Sequence, residues 1–209
     1  SNDDSITSFT SWGPSDDGRI KPDITAPGCQ SNDDNGVTST TPGGGYSSYC
    51  GTSMASPTVT GIAALIMQDW RQQFPDRGDI RNSSLKALLA NSGDDLGNPG
   101  PDCQYGFGTV RARQAIDALR DDSVIENEVA NGEIAEHLVI VQPGDSELRI
   151  TLAWDDAPAS PLPLAALVND LDLGDRSFFF LDQGTALIAK RLGVRLDLFD
   201  HQAIQAAGV

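Results

Sequence analysis

Gly51-Thr52-Ser53-Met54-Ala55-Ser56-Pro57 decides the reading of this chain. A serine follows a Gly-Thr pair and opens an apolar run. Met54, Ile62, Leu65, Ile66 and Trp70 mark successive apolar turns, with the small residues Ala55, Gly61, Ala63 and Ala64 between them. That pattern predicts a helix buried on most of its faces. Proline is tolerated in the first turn of a helix, so Pro57 sets the start within a residue or two of Ser53. Helix N-termini hold unpaired amides and partial positive charge. A serine placed there has its own N–H available to an oxyanion, and Gly51 lets a substrate backbone approach closely. The same residues also read as a serine N-cap on an ordinary core helix.

The segments on either side supply the rest of an α/β pattern. Ile20 to Ile24 is a strand candidate that Pro22 makes irregular. Residues 28–50 are dense in Gly, Ser, Thr and Asn, which is loop composition. One further helix is predicted from Asn82 or Ser83 to Asn91, with Leu85, Leu88 and Leu89 on one face and Gly93 as its stop. Another runs from Val110 to Arg120, with Val110, Ala115, Ile116 and Leu119 inward, and Tyr105-Gly-Phe-Gly-Thr109 forms a tight aromatic turn before it. Residues 121–136 carry charge and little periodicity and read as a linker. Beyond it the period changes. His137 to Val141 is a strand candidate, Gln142-Pro-Gly-Asp-Ser146 a turn, and Leu148, Ile150, Leu152 and Trp154 alternate with polar or small residues. A second, all-β unit follows from that alternation, with Trp154 in its core.

Composition narrows the partners. The 209 residues carry 14 basic and 30 acidic side chains, a net charge of −16. Nucleic acid and anionic membrane surfaces repel such a chain. Asp outnumbers Glu 25 to 5, and Asp is both a turn former and an oxygen ligand for hard cations. No run approaches the roughly 20 apolar residues of a membrane helix.

Gly51-Thr-Ser-Met-Ala-Ser-Pro-Thr-Val-Thr-Gly61 resembles the nucleophile motif of the subtilisin-like serine proteases. Three further segments resemble that family's motifs in the family's order: Ser8-Phe-Thr-Ser-Trp-Gly-Pro14, Lys21-Pro-Asp-Ile-Thr-Ala-Pro-Gly28 and Tyr105-Gly-Phe-Gly-Thr-Val110. The resemblance implies an α/β domain with a parallel sheet, a peptide or protein substrate, an extracellular setting and no cofactor for catalysis. It implies that Ser53 forms the acyl-enzyme and that its backbone N–H serves the oxyanion. Asp23 falls in the Lys-Pro-Asp strand motif, as a fold residue.

One departure bears on mechanism. The family orders its triad Asp, His, Ser, yet no histidine precedes Ser53; the two in the chain are His137 and His201. The contexts of the family's catalytic Asp and His, and of its oxyanion Asn, are absent. Residues 1–120 are therefore expected to be the C-terminal half of a catalytic domain, inactive without the missing N-terminal half that supplies the base. The rival reading is a non-catalytic fragment or pseudoenzyme whose β unit binds or stabilises.

Residues 137–173 resemble the start of the β-sandwich, jelly-roll-like, that follows the catalytic domain in one branch of secreted bacterial subtilases, similar in role to the P domain of proprotein convertases. After Leu173 the resemblance stops. Gly184 to Val209 fits no single period, and the expectation is a truncated or joined reading frame rather than a native ending. Asn169, Asp170 and Asp172 offer oxygen ligands close together, and a structural calcium is what Asp170 and Asp172 would hold. Calcium is then expected to raise thermal stability, by about 2.7 kcal/mol at a hundredfold excess over its dissociation constant. Equal melting temperatures in chelator and in millimolar calcium would remove the site.

Three cysteines allow one disulfide and an odd thiol. Cys29 and Cys50 flank the loop before Ser53. A bridge between them suits a secreted protein and would stabilise by about 3 kcal/mol on the chain-entropy model. Cys103 is then unpaired or bonded to something in the missing half.

Overall fold

The structure, a computed structural model, describes residues 4–29, 36–139, 147–156 and 171, and the backbone of four strands beyond residue 178. Its elements run β1 (Ile24–Ala26), β2 (Val37–Thr41), β3 (Gly45–Tyr49), α1 (Thr52–Gln73), α2 (Asn82–Asn91), α3 (Ala112–Arg120), β4 (Glu147–Ala153), β5 (Phe179–Asp182), β6 (Thr185–Ile188), β7 (Gly193–Phe199) and β8 (Ala206–Gly208). The architecture is α/β.

The centre is β1 with α1, α2 and α3 packed around it. Ile24 and Ala26 from β1 meet Ala55, Val59, Ile66 and Trp70 of α1, Leu88 and Leu89 of α2, and Ala115 and Leu119 of α3. β1 is shorter than the sequence suggests and begins at Ile24, past Pro22, which has no N–H to give a ladder. Its backbone is tied to the aromatic turn. Thr25 N–H donates to Gly108 O and Val110 N–H to Thr25 O, both at 2.9 Å, and Phe107 N–H donates to Asp23 O at 2.8 Å. The turn approaches so closely that a Cβ on Gly106, at φ +63°, would clash with the Pro22 and Asp23 carbonyl oxygens. Only glycine fits there. Val110 belongs to this tie, which is why α3 starts at Ala112 rather than at Val110.

α1 departs from the expectation of burial on most faces. It buries one stripe, Ala55, Val59, Ile66 and Trp70. The opposite stripe, Ser53, Pro57, Thr60, Gly61, Ala64 and Leu65, is exposed, with Leu65 56% open. Trp70 is 1% exposed and its indole N–H donates to Gly78 O at 2.9 Å. The inner end of α1 is fixed by Asp69, whose carboxylate takes two hydrogen bonds from Arg120 of α3 at 2.7 and 3.0 Å. Those bonds hold the Arg120 guanidinium above its ordinary pKa. Trp70→Ala is expected to destabilise the full-length protein by about 3–5 kcal/mol, read by chemical denaturation. A loss below about 1 kcal/mol would place Trp70 outside the core.

Residues 37–49, expected as loop, form an antiparallel hairpin with Val37 opposite Tyr49 and Thr41 opposite Gly45. Gly43 and Gly44, both at φ above +80°, make its turn. The strand expected from His137 to Val141 is absent over its described residues 137–139. Leu138 is 89% exposed there, and a strand without a neighbour has nothing to receive its backbone hydrogen bonds.

β4 bears out the alternating stretch as a strand but not as part of a two-sheet sandwich. Among the described residues it pairs in parallel with β7, while β5 and β6 form an antiparallel pair and β8 lies parallel to β1. β4 also leans on α2 rather than standing apart from the first unit. Arg149 donates to the Asn91 and Gly93 carbonyls at 3.0 and 2.7 Å, capping the end of α2, and Asn91 Nδ2 donates to the Arg149 carbonyl at 3.1 Å. A half-apolar strand needs a cover for its inner row, and α2 supplies one. No helix among the described residues is long and apolar enough to cross a membrane.

Candidate active site

Ser53 is the second residue of α1, and its side chain is exposed. The helix N-cap is Gly51, with no side-chain cap hydrogen bond, so Ser53 is not the capping serine that its position also allowed. Gly51 sits at φ 156° and ψ 161°, a region essentially restricted to glycine. This backbone turns the chain abruptly from β3 into α1 and leaves the serine hydroxyl pointing away from the core. The Ser53 N–H precedes the first intrahelical hydrogen bond and has no partner within the helix. It therefore lies where an anion is favoured by both an open donor and the helix dipole.

Pro57 is not at the helix entrance. It is the sixth residue of α1, beyond the positions whose N–H groups are orphans in any case. The N–H it lacks would have served the Ser53 carbonyl one turn earlier. The helix thus begins two turns around a residue that cannot support it, and the first side chain of α1 buried in the core is Ala55.

Two features hold the segment from its upstream side. Gly51 N–H donates to Gly28 O at 2.9 Å. Cys29 and Cys50 are joined, with Cα atoms 4.6 Å apart. Gly28 follows shortly after β1, so both ties lead back to the buried strand. Gly28 closes the Lys21-to-Gly28 motif, but its contact with Gly51 is not legible there; the signal was its place beside Cys29, across from the Cys50-Gly51 pair. Cys103 is unbridged.

The remaining candidates are scattered. Asp23 is buried at the head of β1, where Lys21 Nζ donates to its Oδ1 at 2.7 Å and its carbonyl receives Phe107. His137 is exposed in a segment without regular structure. His201, Asp170 and Asp172 lie outside the described residues. Among the described residues no group of three or more His, Cys, Asp or Glu side chains is placed to hold a metal ion. The structure thus presents a serine on a helix start with an open amide, and among the described residues no hydrogen bond reaches its hydroxyl. Chemically, an exposed hydroxyl beside an unpaired helix-start amide can attack a carbonyl only when a base is brought to it.

The profile of the subtilase family (peptidase S8) matches residues 1–108. The chain is 39% identical over 124 residues to the serine protease AprX of Bacillus subtilis, covering 56% of this chain and 26% of that protein. It is 32% identical over 197 residues to bacillopeptidase F of the same organism, covering 90% of this chain and 12% of the relative. A C5a peptidase of Streptococcus pyogenes is 34% identical over 116 residues, 53% of this chain and 9% of its own length. Among solved structures, a lanthipeptide protease is 40% identical, over 35% of this chain and 22% of its own, with a TM-score of 0.33. The chain spans about a quarter of AprX and about an eighth of bacillopeptidase F. With more than half of its length matched by one family profile, this chain belongs to the subtilase family.

Proposed function

We propose that this chain carries the nucleophile of a serine endopeptidase. Ser53 Oγ attacks the scissile carbonyl of a peptide or protein substrate and forms an acyl-enzyme, which water then hydrolyses. In the attack a general base takes the Ser53 proton, and the carbonyl oxygen gains the negative charge. The Ser53 N–H donates to that oxygen, aided by the positive end of the 22-residue α1. Catalysis needs no cofactor, because serine, base and amides supply every group in the two steps.

The observation that carries this reading is the exposed Ser53 behind a glycine-only N-cap, within a chain of the subtilase family. The base and its orienting carboxylate come from residues outside this chain. Neither histidine here belongs to a motif that would deliver an imidazole to Ser53, and His137 stands exposed in the stretch after α3. Residues 1–120 form the nucleophile-bearing unit, 121–136 a linker, and 137–209 an appended β unit. The Cys29–Cys50 bridge favours an oxidising, extracellular setting. The net charge of −16 turns away nucleic acid and anionic membranes as partners.

The test is a fluorophosphonate probe applied to the full-length protein, followed by peptide mapping. Label is expected on Ser53 and on no other residue of this chain. An unlabelled Ser53 in full-length protein that is folded would leave the non-catalytic reading standing.

A further inference from the structure

The first turn of α1 is poorly supported from below. Its N-cap makes no side-chain hydrogen bond, Pro57 withholds an N–H from the Ser53 carbonyl, and the core does not grip the helix before Ala55. Support comes from upstream instead. β1 is buried and hydrogen-bonded to the aromatic turn along its length. Just past its end, Gly28 O receives Gly51 N–H, and Cys29 is bonded to Cys50, three residues before Ser53. The β2–β3 hairpin does not replace that hold, because among the described residues its strands pair with each other and with no core strand, Val37 opposite Tyr49.

We propose that the Cys29–Cys50 disulfide is a positioning element for Ser53. It fastens the residue-50 end of the nucleophile segment to the buried strand β1, and breaking it slows attack by Ser53 more than it weakens substrate binding. The inference rests on Ser53 being the nucleophile. A displacement of about 1 Å at a reacting atom can lower a rate by about a hundredfold, and one remaining backbone hydrogen bond leaves the Gly51 hinge freer to move by that amount. The bridge also makes the rate depend on redox state. A dithiol supplies two electrons and two protons: the Sγ–Sγ bond breaks, Cys29 and Cys50 become thiols, and the dithiol closes to its own disulfide.

The experiment uses the full-length protein with Cys103→Ser, so that the third thiol of this chain cannot exchange. Four quantities are measured well below the melting temperature: kcat, KM, the rate of fluorophosphonate labelling at Ser53, and far-UV circular dichroism. They are compared for the oxidised protein, the same protein reduced with dithiothreitol, and a Cys29→Ser/Cys50→Ser variant. Reduction is expected to lower kcat and the labelling rate by about 10- to 100-fold, with KM changed by less than about threefold and the circular dichroism unchanged. Reoxidation restores both rates. Rates within about twofold of the oxidised form overturn the proposal, as does a loss that only tracks the unfolded fraction in both reduced protein and variant. If the oxidised protein itself takes no label at Ser53, the assignment of the nucleophile falls, and this inference with it.

Discussion

Ser53→Ala in the full-length protein is expected to leave about 10⁻⁶ of the wild-type kcat. That magnitude is the one known for the nucleophile of subtilisin itself, a member of this family, and is carried over rather than derived from this chain. The structural part of the argument is that nothing else changes. The Ser53 side chain is exposed and makes no hydrogen bond among the described residues, so within this chain removing its oxygen leaves no cavity and no orphaned partner. Exposed substitutions of this kind alter stability by less than about 0.5 kcal/mol. The Ser53 N–H is kept in alanine, so substrate binding and half of the oxyanion site survive. The expected result is a folded protein with near-normal KM and no measurable turnover of casein. Turnover within tenfold of wild type would remove Ser53 from the reaction.

Residues 1–209 expressed alone take no fluorophosphonate label, at a rate indistinguishable from the Ser53→Ala form of the same chain. A serine hydroxyl is a weak nucleophile without an adjacent base. Asp23 is engaged by Lys21, and His137 stands in an exposed stretch after α3. The chain alone also leaves the outer stripe of α1 facing water. Along the middle of this helix Ile66 is fully buried, Ile62 packs partly against the core, and Leu65 is 56% exposed. Covering its exposed part in a larger domain would contribute about 1–2 kcal/mol. The isolated chain is therefore expected to be less cooperative in unfolding than the full-length protein, and inactive. Stoichiometric labelling at Ser53 that disappears on heating would show that a base has been assembled within these residues.

What the sequence reveals of this molecule follows from how local each signal is. α2 was readable at both ends, Asn82 and Asn91, because its apolar face and its stop lie within a dozen residues. The start of α1 was readable from Gly51 and Ser53 for the same reason. The hairpin at 37–49 was not. Its Thr- and Ser-rich strands look like loop by composition, and the signal that mattered was Pro42-Gly43-Gly44 between two runs of β-branched or aromatic residues. β1 and Val110 were misplaced by a few residues because their partners are distant in the chain. The same limit hid Gly28, whose role exists only once Gly51 is folded against it. The alternation at 148–154 gave a strand correctly but not its neighbour, since a period of two says which face is covered and nothing about what covers it.

The tie between β1 and the aromatic turn has a kinetic consequence. Thr25 and Gly108 are 83 residues apart, so joining them closes a long loop before any hydrogen bond rewards it. Such non-local pairings slow folding, whereas the hairpin and the three helices assemble from near neighbours. β1 is thus among the last elements to settle, and until it does its edge is open to pairing with other chains. Gly28 and Cys29 lie just beyond β1, so the seat of Ser53 is expected to settle fully only once that long loop has closed. A nascent chain therefore carries its serine for a time without the geometry to use it.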